Sequence, residues 1–189
     1  GAAARHLAAL KAMRPGVDLS TLNCYEFGAG WDLIGPISMW ALGVERQTIL
    51  DIRPNLKLEL VNGTIRQFAR DAEHIAEVLG AAPRAIDPRP VASVAELRDR
   101  FGIRYLAPAD ARAVPLPSGS VDFASSTFTL EHIPAPEIRE ILKETRRLLH
   151  DDGIVSSLID MQDHYSYIDG SISVYNYLRF PGPLWWFLN

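Results

Sequence analysis

The stretch CYEFGAGWDLIGP, Cys24–Pro36, decides how the chain folds. An apolar run with one internal acid, Glu26, ends on Gly28-Ala29-Gly30 and is followed by a segment with helical spacing over roughly 33–43. A strand leading through a glycine turn into a helix is the opening of a βαβ unit. Small residues at the turn let backbone approach a ligand closely. Trp31 and Asp32 stand where a dinucleotide fingerprint has its third glycine. The indole would crowd a pyrophosphate and the carboxylate would repel it.

Working outward, residues 3–13 carry an amphipathic helix that stops near Pro15-Gly16. QTILDI, 47–52, is a second strand, closed by Pro54. The spacing over 56–80 is helical, GAAPRAIDPRP breaks it, and Ser93 with Glu96 forms a capping-box pattern. This interval is long for a crossover and reads as a helical insert near 56–100. IRYLAPAD, 103–110, and SVDFASSTF, 120–128, are the third and fourth strands. A helix follows, with Ile138, Ile141, Leu142, Thr145, Leu148 and Leu149 as its stripe and Gly153 at its stop. IVSSLIDM, 154–161, is the fifth strand. Alternating β and α elements predict an α/β fold of Rossmann-like type. It is an open, mostly parallel twisted sheet with helices on both faces.

Composition narrows the class. The chain has 189 residues, of which 48% are hydrophobic and 22% charged, enough for a substantial core of a soluble protein. A net charge of −4 argues against a nucleic-acid partner. Cys24 is the single cysteine, which leaves no internal disulfide, fits a cytoplasmic setting and reads as buried filler. No apolar run approaches the ~20 residues that span a bilayer. The first residue is not Met and the last nine are PGPLWWFLN, so both ends read as cut from a longer protein, the tail as a core piece of a truncated region. Residues 1–189 are taken as one domain.

In open α/β sheets the ligand sits beyond the carboxyl ends of the strands. After the first strand come Gly28, Ala29 and Gly30; after the second, Asp51; after the third, Asp110; after the fourth, Ser125, Ser126, Thr127, Glu131 and His132. Asp51 lies about twenty residues beyond the glycines, where a carboxylate accepts both hydroxyls of a ribose. A glycine turn and two acids at one sheet edge point to a nucleoside ligand. The phosphate-hostile turn favours one without a pyrophosphate, such as S-adenosylmethionine.

These pieces together resemble the class I S-adenosylmethionine-dependent methyltransferases of small-molecule type. The similarity runs over about 20–162 outside the insert, through YEFGAG, ILDI, YLAPADARAVPLPSGSVDFASSTFTLEHI and EILKETRRLLHDDGIVSSLIDM. It implies S-adenosylmethionine as cofactor and a small-molecule acceptor. Glu26, Gly28, Ala29 and Gly30 would surround the methionine end. Asp51 would take the ribose, and Asp110 with Ala111 the adenine amino group. Ser126 and Thr127 would lie beneath the sulfonium. The resemblance also implies an antiparallel hairpin after the fifth strand, whose two strands are not found here. SSTF differs from the Asn/Asp-Pro-Pro-aromatic pattern of nucleobase amino methylation.

Transfer from a sulfonium is an in-line displacement that needs alignment in a dry cavity, with a base where the acceptor is a hydroxyl. His132 is the first candidate for that base and His164 the second, with Tyr165, Tyr167 and Asp169 beside it. Glu131-His132 offers too few ligand types for a metal site. Two other readings stand beside this one: an NAD-dependent oxidoreductase, and a non-catalytic α/β partner domain that retains the fold.

Overall fold

A computed structural model describes residues 1–182 and 184. Trp185 and Trp186 of the aromatic tail therefore lie outside the described residues. The chain divides into two compact units, Gly1–Leu158 and a second beginning at Ile159.

The first unit holds five parallel strands: β1 (Asn23–Phe27), β2 (Arg46–Leu50), β3 (Ile103–Leu106), β4 (Val121–Thr127) and β5 (Leu149–Leu158). Their order in the sheet is β3-β2-β1-β4-β5. Strand order reverses between β1 and β4, so a crevice opens at their carboxyl ends. A connection between parallel strands must cross the sheet; helices make the crossing at β1–β2, β2–β3 and β4–β5, whereas β3 returns to β4 through residues 107–120 without a helix.

The helices are α1 (Ala2–Met13), α2 (Ile34–Ala41), α3 (Leu58–Arg70), α4 (Ala72–Leu79), α5 (Val94–Phe101) and α6 (Ala135–Leu148). They are distributed unevenly. Leu7 and Leu10 of α1 pack with Cys24 and Phe123, while Ile37, Ile65 and Leu97 of α2, α3 and α5 pack with Ile49 and Ile103. In-register partners in a parallel sheet share a face, and residues alternate along each strand. Cys24, Ile49 and Ile103 thus put five helices on one face. The opposite face holds Tyr25, Phe27 and Leu50 and is covered by α6 through Ile141 and Leu148. Each such fully buried side chain contributes about 1.5–3 kcal/mol.

Three local expectations shift. The stripe of α6 is narrower than its apolar spacing implies: Leu142, one position off the Ile138–Ile141–Thr145–Leu148 row, is exposed. The helix ends at Leu148 instead of near Gly153, and HDDG enters β5 as an irregularity that shifts register between Val121 and Phe123. Ser93 caps α5 by accepting from the Glu96 N–H at 3.3 Å, whereas the Glu96 carboxylate returns to the N–H of Ala92, one residue earlier than a reciprocal box. Cys24 is buried, and burial pushes its thiol up to about 12, reinforced by Asp122 and Glu26.

In the second unit, 3₁₀ turns span His164–Tyr167 and Asn176–Arg179. Asp163 ties it internally, its N–H donating to Val174 O at 2.7 Å and its carboxylate accepting from the Tyr165 N–H at 3.0 Å. Among the described residues there is no antiparallel strand pair. No helix among them is long and apolar enough to cross a membrane.

Candidate functional site

The residues that follow β1, β2 and β4 converge on one cleft. Gly28 comes first. Its φ of +76° is a backbone state that side chains rarely adopt, and its N–H donates to Leu50 O at 2.9 Å. A Cβ placed there would meet Thr129 Oγ1 at 2.3 Å. The turn is therefore closed to any residue but glycine. Gly30, at φ +74°, has open space around it, so only its backbone demands glycine. Two non-glycine residues also have positive φ, Leu33 at +52° before α2 and Phe128 at +49° after β4. Both flank this edge, where strain commonly marks a functional site.

A cavity of about 300 Å³, at the lower end of ligand-pocket sizes, is lined by Gly28, Asp51, Asp110, Ala111, Arg112 and His132. Phe27, Leu50 and Ile141 form apolar walls. Asp51 follows β2 directly and is 6% exposed. Its carboxylate accepts from Asn55 Nδ2 at 3.2 Å. Burial raises its pKa, while the N–H of Arg53 and the Asn55 amide pull the other way. Asp110 is different: Arg112 binds it through its backbone N–H at 2.8 Å and its guanidinium at 2.7 Å. These hydrogen bonds hold its carboxyl below the usual range. His132 lies in the 3₁₀ turn Leu130–His132, its N–H donating to Thr129 O at 3.1 Å.

The remaining candidates fall elsewhere. Glu26 and Thr127 join on the α1 side of the sheet, Thr127 Oγ1 donating to Glu26 Oε1 at 3.3 Å. Ser126, adjacent in β4, projects to the opposite face, and its buried hydroxyl has no hydrogen-bond partner. Ala29 packs against the core of α2 and α3. His164 belongs to the second unit, 3.4 Å from Asp160 and stacked on Tyr167. Among the described residues no group of three or more His, Cys, Asp or Glu is arranged to hold a metal ion.

Asp32 acquires a structural reason. Its Oδ1 accepts the Ile34 N–H at 3.1 Å, occupying a donor at the start of α2 that a pyrophosphate would use. An Asp that accepts from the N–H two residues on is an Asx turn, a preference of Asp that is legible in the sequence; the N-cap itself is Leu33. Trp31 is exposed, with Lys57 Nζ 4.6 Å from its ring centre. His6 has no part in the sequence reading. It is buried and bonded to Thr127, and a lone histidine on the apolar stripe of α1 is the signal that marks it.

Known proteins resemble the chain in fold and share its family. The structure resembles phosphoethanolamine N-methyltransferase 1 of Haemonchus contortus in complex with phosphoethanolamine and S-adenosylhomocysteine. That match has a TM-score of 0.50 at 17% identity and covers 86% of this chain and 26% of that one. A SAM dependent methyltransferase from Aquifex aeolicus matches with a TM-score of 0.49 at 14% identity, covering 84% of this chain and 65% of that one. The chain thus spans less than two thirds of either structure. No curated protein matches it. Residues 63–157, just over half of the chain, match the family described as a methyltransferase domain. That match places the chain in the methyltransferase-domain family.

Proposed function

We propose that the chain binds S-adenosylmethionine in the β1–β2–β4 cleft and transfers its methyl group to a small-molecule acceptor. One observation carries the reading: the buried Asp51 carboxylate faces the same cavity as the Gly28 turn, and only Asn55 among side chains donates to it. A carboxylate has about four lone-pair positions, of which Asn55 and the N–H groups of Ile52 and Arg53 draw on up to three, so Asp51 keeps capacity for a ribose hydroxyl. The Asp32 carboxylate on the Ile34 N–H at the start of α2 suits a ligand without a pyrophosphate, which disfavours the NAD-dependent alternative.

The cofactor supplies an activated methyl group on a sulfonium. The chain's own residues supply position and exclusion of water. Gly28, Ala29 and Gly30 leave room for the methionine end, with Glu26 below the turn. Asp51 orients the ribose. Asp110 and Ala111 stand at the adenine end, where Asp110 must share its oxygens with Arg112. Ser126 and Thr127 close β4 on opposite faces of the sheet and would approach the sulfonium from the strand end. His132, lining the cleft, is the candidate base for a hydroxyl acceptor, a role worth about 10²–10⁴-fold in rate. The reading treats 1–189 as one methyltransferase-like domain with a helical insert near 56–100.

Isothermal titration with S-adenosylmethionine, S-adenosylhomocysteine and NAD tests the proposal. Binding of the first two and not the third is expected. Binding of NAD alone sinks it, and binding of none favours a partner domain that retains the fold without the ligand.

A further inference from the structure

The face of the sheet turned toward α1 carries a buried polar assembly whose members do not line the 300 Å³ cavity. His6, on α1, is 3% exposed and stands edge-on to Phe123. Its Nδ1 lies 2.8 Å from Ser156 Oγ and its Nε2 3.0 Å from Thr127 Oγ1. Thr127 Oγ1 donates in turn to Glu26 Oε1 at 3.3 Å. A hydroxyl has one hydrogen. With that hydrogen spent on the carboxylate, Thr127 can only accept from the ring, so Nε2 carries the proton. Nδ1 is then bare and accepts from Ser156. Donation runs one way, from β5 through α1 to β4, and ends on Glu26 at the end of β1.

The electrostatics agree with that direction. Burial, then the neighbouring Arg5, lowers the pKa of His6 and keeps the ring neutral. Burial raises Glu26 to about 7, against the pull of the Thr127 hydroxyl. From α2, the carboxylate oxygens face the Gly35 backbone, which carries no side chain. On β1 itself, the titratable neighbour on the same face is Cys24, whose thiol burial keeps neutral. The assembly also touches the glycine turn, because Thr129 Oγ1 spans Thr127 O at 3.0 Å and Gly28 O at 3.2 Å.

We propose that His6 is a positioning residue for Glu26. By donating to Thr127 it fixes the hydroxyl that favours the anionic carboxylate, so the N-terminal helix sets the charge presented beneath the Gly28 turn. The functional consequence rests on the cofactor reading: an anionic Glu26 is suited to the ammonium of the ligand's amino-acid end.

The test follows the Glu26 carboxyl by 13C NMR and the His6 ring by 15N NMR in the ligand-free chain. The wild type is compared with His6→Phe, Thr127→Val and Thr127→Ser. His6→Phe keeps the ring and its packing on Phe123 and removes both nitrogens; should it fail to fold, Thr127→Val carries the comparison. The wild-type ring is expected as the Nε2–H tautomer. Thr127→Val should raise the Glu26 midpoint by about one pH unit, His6→Phe by about half of that, and Thr127→Ser should restore it. S-adenosylhomocysteine affinity, measured on the same proteins from pH 6 to 9, should fall about fivefold at pH 7 in Thr127→Val and recover by pH 9. An Nδ1–H tautomer, or a Glu26 midpoint unmoved in His6→Phe and Thr127→Val, overturns the proposal. Absence of S-adenosylhomocysteine binding by the wild type overturns the cofactor reading instead, and the Glu26 midpoint still decides the role of His6.

Discussion

Asp51 and Asp110 end neighbouring strands of one sheet and line one cavity, yet they are electrostatic opposites. Asp51 is buried, with a raised pKa and a single amide donating to it from a side chain. Asp110 is partly exposed and clamped by a guanidinium, with a lowered pKa. A clamped carboxylate has its charge already satisfied by the protein; an under-satisfied one gains most from a new donor. Asp51 is therefore where ligand binding should be concentrated, and Asp110 where it should be weak.

The widest break in that comparison lies upstream of both acids. Gly28→Ala drives a Cβ into Thr129 at a positive φ, and should destabilise the fold by about 3 kcal/mol in urea unfolding. Adding Thr129→Ala should recover the steric share; no recovery would place the strain in the backbone alone. Next comes Asp51→Asn, expected to weaken S-adenosylhomocysteine at least tenfold by calorimetry. The same variant should be slightly more stable than the wild type at pH 7. A carboxyl with a raised folded pKa costs stability once ionised, and that cost disappears as pH falls and Asp51 protonates in both states. A thermal-melting advantage of Asp51→Asn that grows toward acid pH would contradict this assignment.

The smallest effect is expected at Asp110. Asp110→Asn should change S-adenosylhomocysteine affinity less than threefold. Its stability signature has the opposite sign to that of Asp51. The clamp contributes above the unfolded carboxyl value of about 3.9 and is lost as pH falls through the lower folded value. Equal affinity losses at the two acids would mean that Arg112 releases Asp110 when the ligand binds.

Much of this site is legible in the one-dimensional pattern. Gly28, Asp51, Asp110 and His132 each follow an element visible from its periodicity, and a parallel sheet brings successive strand ends to one edge. What periodicity cannot express is where a side chain spends its hydrogen bonds. Ser126 and Thr127 read alike as polar ends of β4, but alternation sends them to opposite faces, one to an orphaned position and the other to Glu26. Asp32 reads as an obstacle to phosphate and also closes a local turn onto the Ile34 N–H.

The sequence alone determined the fold class, the glycine turn and the row of acids, because those follow from local spacing and from the handedness of the chain. Only the tertiary structure decided that five helices crowd one face, that Arg112 neutralises Asp110 while Asp51 stays in want of donors, and that His6 reaches Glu26 through Thr127. Burial and hydrogen-bond partnership depend on which distant segments meet, and residues 6, 26, 127 and 156 meet only when α1 closes over the sheet.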